Sequence, residues 1–373
     1  MNVSFVIPCY YSRKTILKTI QSIVDQTQPS YEIIVVLNGP DDGSNDAIRI
    51  FEQVKVLQLP TANRALARNA GAAAAKGKLI AFVDSDVVLD PQWLAHAVEC
   101  FERNRFIDIL STAVIPAGDE KDLLYDFRRA YRSWLSKGSF LSLVKPATDG
   151  YTLSPVINTA ACVCRRRLFE VLGGFDPHFK REEDAEFSLR AYVAGAALFS
   201  EQKSISHVHS GSLADSWIRY FRRYAELGPS SARFTRKWPI NGPRIKFQML
   251  ARFYRHTGRL DLTLILLFCK TIHVVSYSIA KVFVTGASSP ITPTNYALHK
   301  TMQMTDGNRY LAPNTRILAT DSQIQIELLG TNRKFLYEGT QARMIEEFLR
   351  TGQASDEDII LLKENNILIE SHA

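Results

Sequence analysis

Cysteine is scarce in this chain and follows no pattern. The 373 residues contain five Cys, an odd number, and no Cys-x-x-Cys pair of the kind that predicts a zinc ribbon or a redox dithiol. A disulfide-stabilised small domain is therefore excluded, and a reducing compartment is expected. The chain opens on an apolar strand-like run, MNVSFVIP, without the basic and apolar regions of a signal peptide. These features predict a cytoplasmic protein.

Long uncharged apolar runs are also missing. The most apolar segment, 260–284, is interrupted by Lys270, His273 and Lys281, and its longest uncharged stretch is 262–269. That stretch is much shorter than the roughly 20 residues of a transmembrane helix. The segment therefore predicts an interfacial amphipathic helix, peripheral at the inner face of the cell membrane, or a helix packed on the rest of the protein.

Acidic residues are nearly absent from the middle of the chain. Residues 211–260 hold eleven Lys and Arg against two acids, whereas residues 320–373 hold ten acids against five bases. Aromatic residues interleave the basic ones, which suits anionic lipid headgroups or diphosphates. No nucleic-acid-binding module is recognisable, so nucleic acid is not an expected partner.

Strand-like and helix-like segments alternate over the first hundred residues. The predicted strands are 3–7, 31–37, 54–59 and 79–83, and the predicted helices are 13–24, 46–51, 65–75 and one that begins near Pro91. This alternation predicts an α/β fold, with a mostly parallel sheet covered by helices on both faces. Ligands of such sheets bind beyond the carboxyl ends of the strands. Pro8 is expected to end the first strand, because it lacks a backbone donor.

Two carboxylates follow the fourth predicted strand. Asp84 and Asp86 flank Ser85, and carboxylates that converge in this way can hold Mg²⁺ or Mn²⁺ against diphosphate oxygens. The alternative is a solvated turn, because Asp and Ser are common turn formers. Spacing alone leaves both interpretations open.

A second acidic group begins a predicted helix. Asp184 follows Glu183, and the spacing of Glu183, Glu186 and Arg190 allows ion pairs along the helix. The helix dipole favours an ionised carboxylate at Asp184, as a general base requires. A solvated acidic helix start is the alternative.

Five segments of the chain form an ordered set: FVIPCYYSRKTILKTIQSIVDQT, YEIIVVLNGPDDGSND, ARNAGAAAAKGKLIAFVDSD, LGGFDPHF and EEDAEFSLRAYVAG. In this order they resemble the family 2 glycosyltransferases of the GT-A fold, a Rossmann-like sheet flanked by helices, over residues 1 to about 215. The Gly-rich phosphate loop of sugar nucleotidyltransferases is absent after the first strand.

The resemblance implies roles for individual residues. Pro8 and Tyr10 match positions that flank the nucleotide base, and Arg68 matches an arginine that faces the nucleotide. Asp84 and Asp86 match the carboxylates that hold the metal and the nucleotide sugar, with Ser85 between them. Asp184 matches the general base, with Glu183 beside it. His207 falls where the family often carries a histidine near the metal or diphosphate.

Asn38 departs from the family pattern. Many members have an acidic residue there that reads the base edge, whereas an amide offers both a donor and an acceptor. Asp41, Asp42 and Asp46 follow closely in the sequence and are candidates to take over that role. A UDP-sugar remains the favoured donor.

The resemblance implies a metal-dependent inverting glycosyltransferase that uses Mn²⁺ or Mg²⁺ and a nucleotide-sugar donor. The expected acceptor is a glycan or a lipid-linked saccharide of envelope polysaccharide synthesis. Two alternatives stay open: a peptide or protein acceptor recruited by the C-terminal module, and a non-catalytic scaffold that binds a nucleotide sugar.

Four regions are predicted along the chain. They are a catalytic domain over 1–215, a basic and apolar helical extension over 216–286, a linker over 287–315 and an acidic module over 316–373. A hairpin around 330–332 and helices over 340–349 and 355–365 are predicted in the acidic module. This pattern is weakly similar to small winged-helix modules that bind peptides, while a packing or dimerisation module is the alternative.

Overall fold

A computed structural model gives the fold. It describes residues 1–103, 107–117, 123–134, 151–153, 157–194, 196–209, 217–237, 243–283, 309–311, 315–319, 323–328, 334–351, 360, 362, 364 and 368–370. Side chains are not described for 151–153, 201–209, 309–311, 315–319, 346–351 and 368–370, for 323–328 except Ile326, and for single residues within other segments.

The N-terminal part of the chain is the predicted alternation of strands and helices. The strands are β1 (Val3–Cys9), β2 (Glu32–Asn38), β3 (Val54–Leu59) and β4 (Leu79–Val83), and the helices are α1 (Ile16–Val24), α2 (Ser44–Ile48) and α3 (Arg64–Ala74). The strands pair in the order β3-β2-β1-β4, all parallel. Their carboxyl ends therefore lie at one edge of the sheet, where a ligand is expected.

The expectation that Pro8 ends β1 is wrong. Pro8 pairs in register with Val36, and β1 continues to Cys9. On its other side β1 pairs with β4 only as far as Val6. Beyond Val6 one side of β1 is free of ladder partners, so a missing N–H there removes no ladder hydrogen bond.

The rest of the sheet mixes parallel and antiparallel pairs. It adds the strands β5 (Val87–Leu89), β6 (Ile107–Ala117), β7 (Tyr151–Leu153), β8 (Ala161–Arg165) and β9 (Ala197–His209), and the helices α4 (Trp93–Arg103), α5 (Leu123–Trp134), α6 (Arg166–Val171) and α7 (Glu183–Val193). The full order is β3-β2-β1-β4-β8-β6-β9-β5, with β7 on β9, and β8 is antiparallel to both β4 and β6. The predicted α/β class is confirmed, with its parallel part confined mainly to the first four strands.

The central strands are buried on both faces, and their side chains alternate between two cores. In β1, Phe5 and Ile7 enter one core with Trp93 of α4. Val6 enters the other core, with Phe187 of α7. Strands enclosed on both sides need near-continuous apolar runs, which explains why β1, β2 and β4 were readable from the sequence.

Three helices follow the sheet: α8 (Trp217–Lys237), α9 (Phe247–Thr257) and α10 (Leu260–Phe283). They share a core with α5, in which Phe127, Phe253 and Leu266 are fully buried. Within the described residues, α10 alone is long and apolar enough to cross a membrane by length and composition. Its most apolar 18-residue window has a mean hydropathy of 1.7 and is 28% buried.

The C-terminal part contains β10 (Arg309–Leu311), β11 (Thr315–Ala319), β12 (Gln323–Leu328), β13 (Lys334–Glu338), α11 (Gly339–Thr351) and β14 (Leu368–Glu370). The predicted hairpin is β12–β13, and α11 contains the first predicted helix. A third strand, β11, was missed, and β10 lies inside the predicted linker. Most of that linker and of the predicted helix 355–365 lies outside the described residues. The four domain boundaries stay predictions.

Candidate active site

The loops that follow β1, β2 and β4 meet at one edge of the sheet. After β1, the Ser12 hydroxyl lies 2.6 Å from the Ser85 hydroxyl, which joins this loop to the acidic motif after β4. Tyr10 is 51% exposed, and its ring lies so close to Gly39 that a Cβ there would come within 3.3 Å of it. Gly39 also has φ of +101°, which favours glycine. The loops that carry Tyr10, Gly39 and Ser85 therefore meet at this edge of the sheet.

Asn38 is engaged within the protein. It is buried, and its side-chain oxygen accepts a 2.7 Å hydrogen bond from the backbone N–H of Asn63. Asn63 in turn caps α3 by accepting from the N–H of Leu66 at 3.0 Å. One acceptor of the amide is thus used to fix the start of α3.

The acidic residues after Asn38 also serve the loop. Asp41 accepts from the backbone N–H of Gly43 at 3.1 Å, and Asp42 accepts from those of Ser44 and Arg13 at 3.2 and 3.1 Å. Burial opposes the charge of Asp42, but these hydrogen bonds and that of the Ser44 hydroxyl lower its pKa. Base reading by Asp41, Asp42 or Asp46 stays a prediction.

Arg68 joins the two predicted acidic groups. It is 1% exposed, and its guanidinium donates at 2.7 Å to Asp84 and at 2.7 Å to Glu183. Burial opposes its charge, but the two carboxylates raise its pKa above the ordinary value. The α3 helix thus brings together residues 84 and 183, which are far apart in the chain. Each carboxylate accepts one charge-assisted hydrogen bond, from a different nitrogen of the same guanidinium, and these bonds restrict the orientation of both.

Glu183 is held in this ion pair and is not free to accept a proton. Only 2% of its side chain is exposed. Burial tends to raise its pKa, but Arg68 and Arg64 lower it, and Arg64 lies 3.5 Å from the carboxylate. The ion pair predicted along the helix forms between Glu186 and Arg190, at 2.7 Å. Glu183 instead pairs with Arg68 of another helix. Glu183 is therefore placed to position its neighbour rather than to act as a base.

Asp184 has a different electrostatic setting. Burial and the charge of Glu183 raise its pKa to about 6, although Arg68 opposes the shift. One carboxylate oxygen accepts from the N–H of Ala185 at 2.8 Å. Burial and a like charge thus outweigh the helix dipole, which by itself favours the ionised form. A base with a pKa near 6 is still mostly ionised at neutral pH.

Asp86 is also shifted. Burial and the charge of Asp84 raise its pKa to about 6, while Arg223 of α8 and Arg128 of α5 lower it. Two carboxylates that repel each other in a partly buried loop form an oxygen donor set that suits a hard divalent cation. Asp84 and Asp86 therefore fit the predicted metal, although Arg68 already engages one oxygen of Asp84.

The predicted third ligand is placed only through its backbone. His207 lies in β9 and pairs with Val88 of β5. Val88 follows Asp86 by two residues in the chain. Its side chain lies outside the described part of the structure. Among the residues that are described, no group of three or more His, Cys, Asp or Glu is arranged to hold a metal. The ligand role of His207 stays a prediction.

Several neighbours of the acidic residues were missed. Arg64 lies one helical turn before Arg68 on α3, so its spacing contained the signal. No sequence signal pointed to Glu182. Its backbone has φ of +61°, and burial raises the pKa of its side chain to about 7. It accepts from the Ser231 hydroxyl at 2.9 Å, and Ser231 lies 2.9 Å from the His273 ring. Only the packing of α8 and α10 brings these groups together.

Residues 4–172 match the sequence model of glycosyl transferase family 2. This chain contains a family 2 glycosyltransferase domain. The matched segment includes Arg68, Asp84 and Asp86, whereas Glu183 and Asp184 lie beyond its end. The predicted family resemblance is confirmed, and none of the matches supports the winged-helix likeness of the C-terminal module.

Other glycosyltransferases resemble this family 2 domain. An uncharacterised glycosyltransferase of Nostoc is 33% identical over 182 residues, which are 48% of this chain and 55% of that protein. The putative glycosyltransferase EpsH of Bacillus subtilis is 23% identical over 232 residues, which are 61% of this chain and 65% of EpsH. The chain therefore spans between half and two thirds of the length of these relatives.

Among solved structures, a mannosyltransferase of Pyrobaculum calidifontis in complex with GDP-Man and Mn²⁺ is similar. The likeness has a TM-score of 0.47 at 17% identity and covers 76% of each chain.

Proposed function

We propose that this protein is a metal-dependent inverting glycosyltransferase that takes its sugar from a nucleotide diphosphate. The observation that carries the proposal is the Arg68 bridge. It places the Asp84 side, where a diphosphate is expected, beside the Glu183–Asp184 side, where a base is expected. The family 2 match supports the reaction class.

Asp184 is the proposed general base. Direct displacement requires the acceptor hydroxyl to lose a proton as it attacks, and an acceptor approaching the face opposite the leaving group inverts the anomeric carbon. A pKa of about 6 leaves Asp184 ionised at neutral pH yet able to hold the proton. Glu183 cannot substitute, because Arg68 and Arg64 hold it ionised and paired.

Asp84 and Asp86 are the proposed holders of Mn²⁺ or Mg²⁺. The bound cation would stabilise the charge that develops on the leaving diphosphate. Arg68 fixes the orientation of Asp84 and adds positive charge near the same oxygens. Relief of the repulsion between Asp84 and Asp86 favours cation binding.

The proposed donor is a UDP-sugar, and the proposed acceptor is a hydroxyl of a glycan or lipid-linked saccharide. Tyr10 presents an exposed ring beside Gly39, a surface on which a base can stack. Asn38 stands where many family members have an acidic residue that reads the edge of the base. Its side-chain oxygen already accepts a hydrogen bond from Asn63, so it should discriminate between nucleotide bases less than a carboxylate would.

Nucleotide binding is the first test. The purified chain is titrated with UDP, GDP, CDP and dTDP, each with and without Mn²⁺, and thermal unfolding is followed, since a ligand of the native state raises its stability. We expect a Mn²⁺-dependent shift with UDP that Asp86→Asn abolishes. The matched control is Asp25→Asn, an exposed carboxylate that accepts a 2.8 Å hydrogen bond from the side chain of Gln21.

Turnover separates the base from the binding residues. Asp184→Asn should keep the Mn²⁺-dependent UDP shift and lower sugar transfer or donor hydrolysis by 10²- to 10⁴-fold. Normal turnover by this variant would refute the assigned base. Binding without turnover in the wild type would instead favour a non-catalytic scaffold.

A further inference from the structure

Helix α10 has two faces of opposite environment. Its inner face is buried against α5 and α8 at Leu262, Leu266, Cys269, His273 and Ala280. Its outer face is apolar and 52% to 75% exposed at Leu260, Leu264, Phe268, Val275, Ile279, Val282 and Phe283. Spacings of three, four and seven residues keep this stripe on one side of the helix for about 35 Å.

A groove runs along the same stripe. It has a volume of 740 Å³, and Val275, Ile279 and Phe283 of α10 face Pro229 and Arg233 of α8 across it. An apolar trough with a cationic side chain on its wall matches the chemistry of an anionic lipid, whose chain is apolar and whose phosphate is charged.

The surrounding helices are strongly basic. Segments 217–237 and 243–283 hold thirteen Lys and Arg and only two acids. Both acids are already paired, Glu226 with Arg181 at 2.6 Å and Asp261 with Arg259 at 2.7 Å. A second copy of this surface would be repelled by like charge, whereas an anionic bilayer is attracted.

We propose that the outer face of α10 and its groove dock on a bilayer that contains anionic phospholipid, with the helix lying in the plane of the interface. Crossing the bilayer would expose the inner face, where the His273 ring lies 2.9 Å from the Ser231 hydroxyl. The proposal rests on these helices alone and holds independently of the catalytic assignment.

Vesicle co-sedimentation tests the proposal with the full chain. We expect the partition coefficient on phosphatidylcholine vesicles to rise at least tenfold when phosphatidylglycerol is included, and to fall again with added NaCl. Val275→Glu with Ile279→Glu should lower it at least tenfold. The control pair, Tyr31→Glu with Ile50→Glu, adds the same charge at positions that are 53% and 70% exposed and should leave it unchanged.

Arg233, the basic residue that lines the groove, is tested by a separate substitution. Arg233→Gln should lower partitioning on the anionic vesicles about fivefold, while Arg49→Gln, on the exposed end of α2, should not. Equal effects of the two substitutions would contradict docking through the groove.

A fluorescent label reports the depth directly. All five native cysteines are buried, so Ile279→Cys can be labelled selectively with an environment-sensitive dye. We expect a blue shift with the anionic vesicles and none for Ile50→Cys. Absence of wild-type binding would overturn the proposal. The proposal would also be overturned if the dye at residue 279 were already shielded from water without vesicles. In a monomer, such shielding would indicate that the acidic C-terminal part covers this face. In a dimer, it would indicate that a second copy covers it.

Discussion

At the scale of single residues, Arg68 is the centre of the site. The Arg68 guanidinium is only 1% exposed, and its burial is tolerated because the carboxylates of Asp84 and Glu183 each lie 2.7 Å from it. It also separates these two carboxylates from each other. The same cation lowers the pKa of Glu183 and opposes the upward shift at Asp184. The pKa values of these adjacent acids are therefore shifted in opposite directions, since Glu183 touches the guanidinium and Asp184 does not.

Loss of the buried cation should be costly. Arg68→Met removes the cation between Asp84 and Glu183 and leaves Glu183 only the longer 3.5 Å pair with Arg64, and we expect the free energy of unfolding to fall by about 3–5 kcal/mol. Urea unfolding measures it. Arg49→Met, which removes an exposed pair with Asp46 at 3.4 Å, should change it by less than about 1 kcal/mol. Equal losses would mean that the bridge contributes no more than a surface pair.

The ionised side chain of Asp184, the proposed base, should lower the free energy of unfolding. The pKa of Asp184 is about 6 in the folded protein against an ordinary 3.8, so ionisation is harder in the folded state than in the unfolded chain. The resulting penalty is absent below pH 4, grows between pH 4 and 6, and is complete above pH 6. Asp184→Asn should therefore stabilise the protein by about 1–3 kcal/mol at pH 7.5.

Thermal unfolding across pH checks this prediction. The gain in the melting temperature of Asp184→Asn over wild type should shrink as the pH falls from 7 to 4, whereas a gain independent of pH would point to packing. Asp25→Asn, at an exposed carboxylate, provides the control.

At the scale of elements, α8 and α10 cross at a glycine. A Cβ on Gly228 would lie 2.2 Å from the Ser276 hydroxyl oxygen and 2.4 Å from the Ser276 backbone carbon. The Ser276 hydroxyl also donates to the carbonyl of Ala225 on α8. The two helices thus approach until backbone meets backbone, which only a residue without a side chain permits.

Gly228→Ala should force these helices apart. We expect it to lower the free energy of unfolding by at least about 2 kcal/mol more than Gly258→Ala does, by urea titration. Gly258 has φ of +66° and open space around it, so that control carries backbone strain without overlap. A smaller loss at Gly228 would show that α10 can slide on α8 at little cost.

At the scale of the whole molecule, α8 and α10 reach the segment that precedes the proposed base. Arg181 pairs with Glu226 at 2.6 Å, and Glu182 accepts from Ser231, which contacts His273 of α10. Glu182 precedes Glu183 and Asp184 with a left-handed backbone. The extension therefore holds the segment that presents both acids.

Ser231→Ala should weaken that coupling. Because the change leaves Glu182 and His273 without their shared hydroxyl, we expect lower turnover with an unchanged UDP and Mn²⁺ shift, since Asp84 and Asp86 are untouched. Ser278→Ala, which removes a hydroxyl bonded only within α10, should retain full turnover. Loss of both turnover and the nucleotide shift would indicate general destabilisation instead.

The sequence by itself determined the elements whose pattern is local. Apolar runs enclosed on both faces predicted β1, β2 and β4, and their parallel order predicted that the loops after them meet at one edge of the sheet. The family motifs, read in order, supplied the reaction class and the acids. Short strands such as β5 and β10 were missed because three residues carry too little periodicity.

Only the tertiary structure decided which carboxylate is free. Glu183 and Asp184 are adjacent in sequence, and nothing local tells them apart; the Arg68 side chain, brought from α3, pairs with one and leaves the other with a raised pKa. The link from α10 through Ser231 to Glu182 arises in the same way. Long-range electrostatics and packing join residues that are more than forty positions apart, and such pairs leave no periodic trace in the chain.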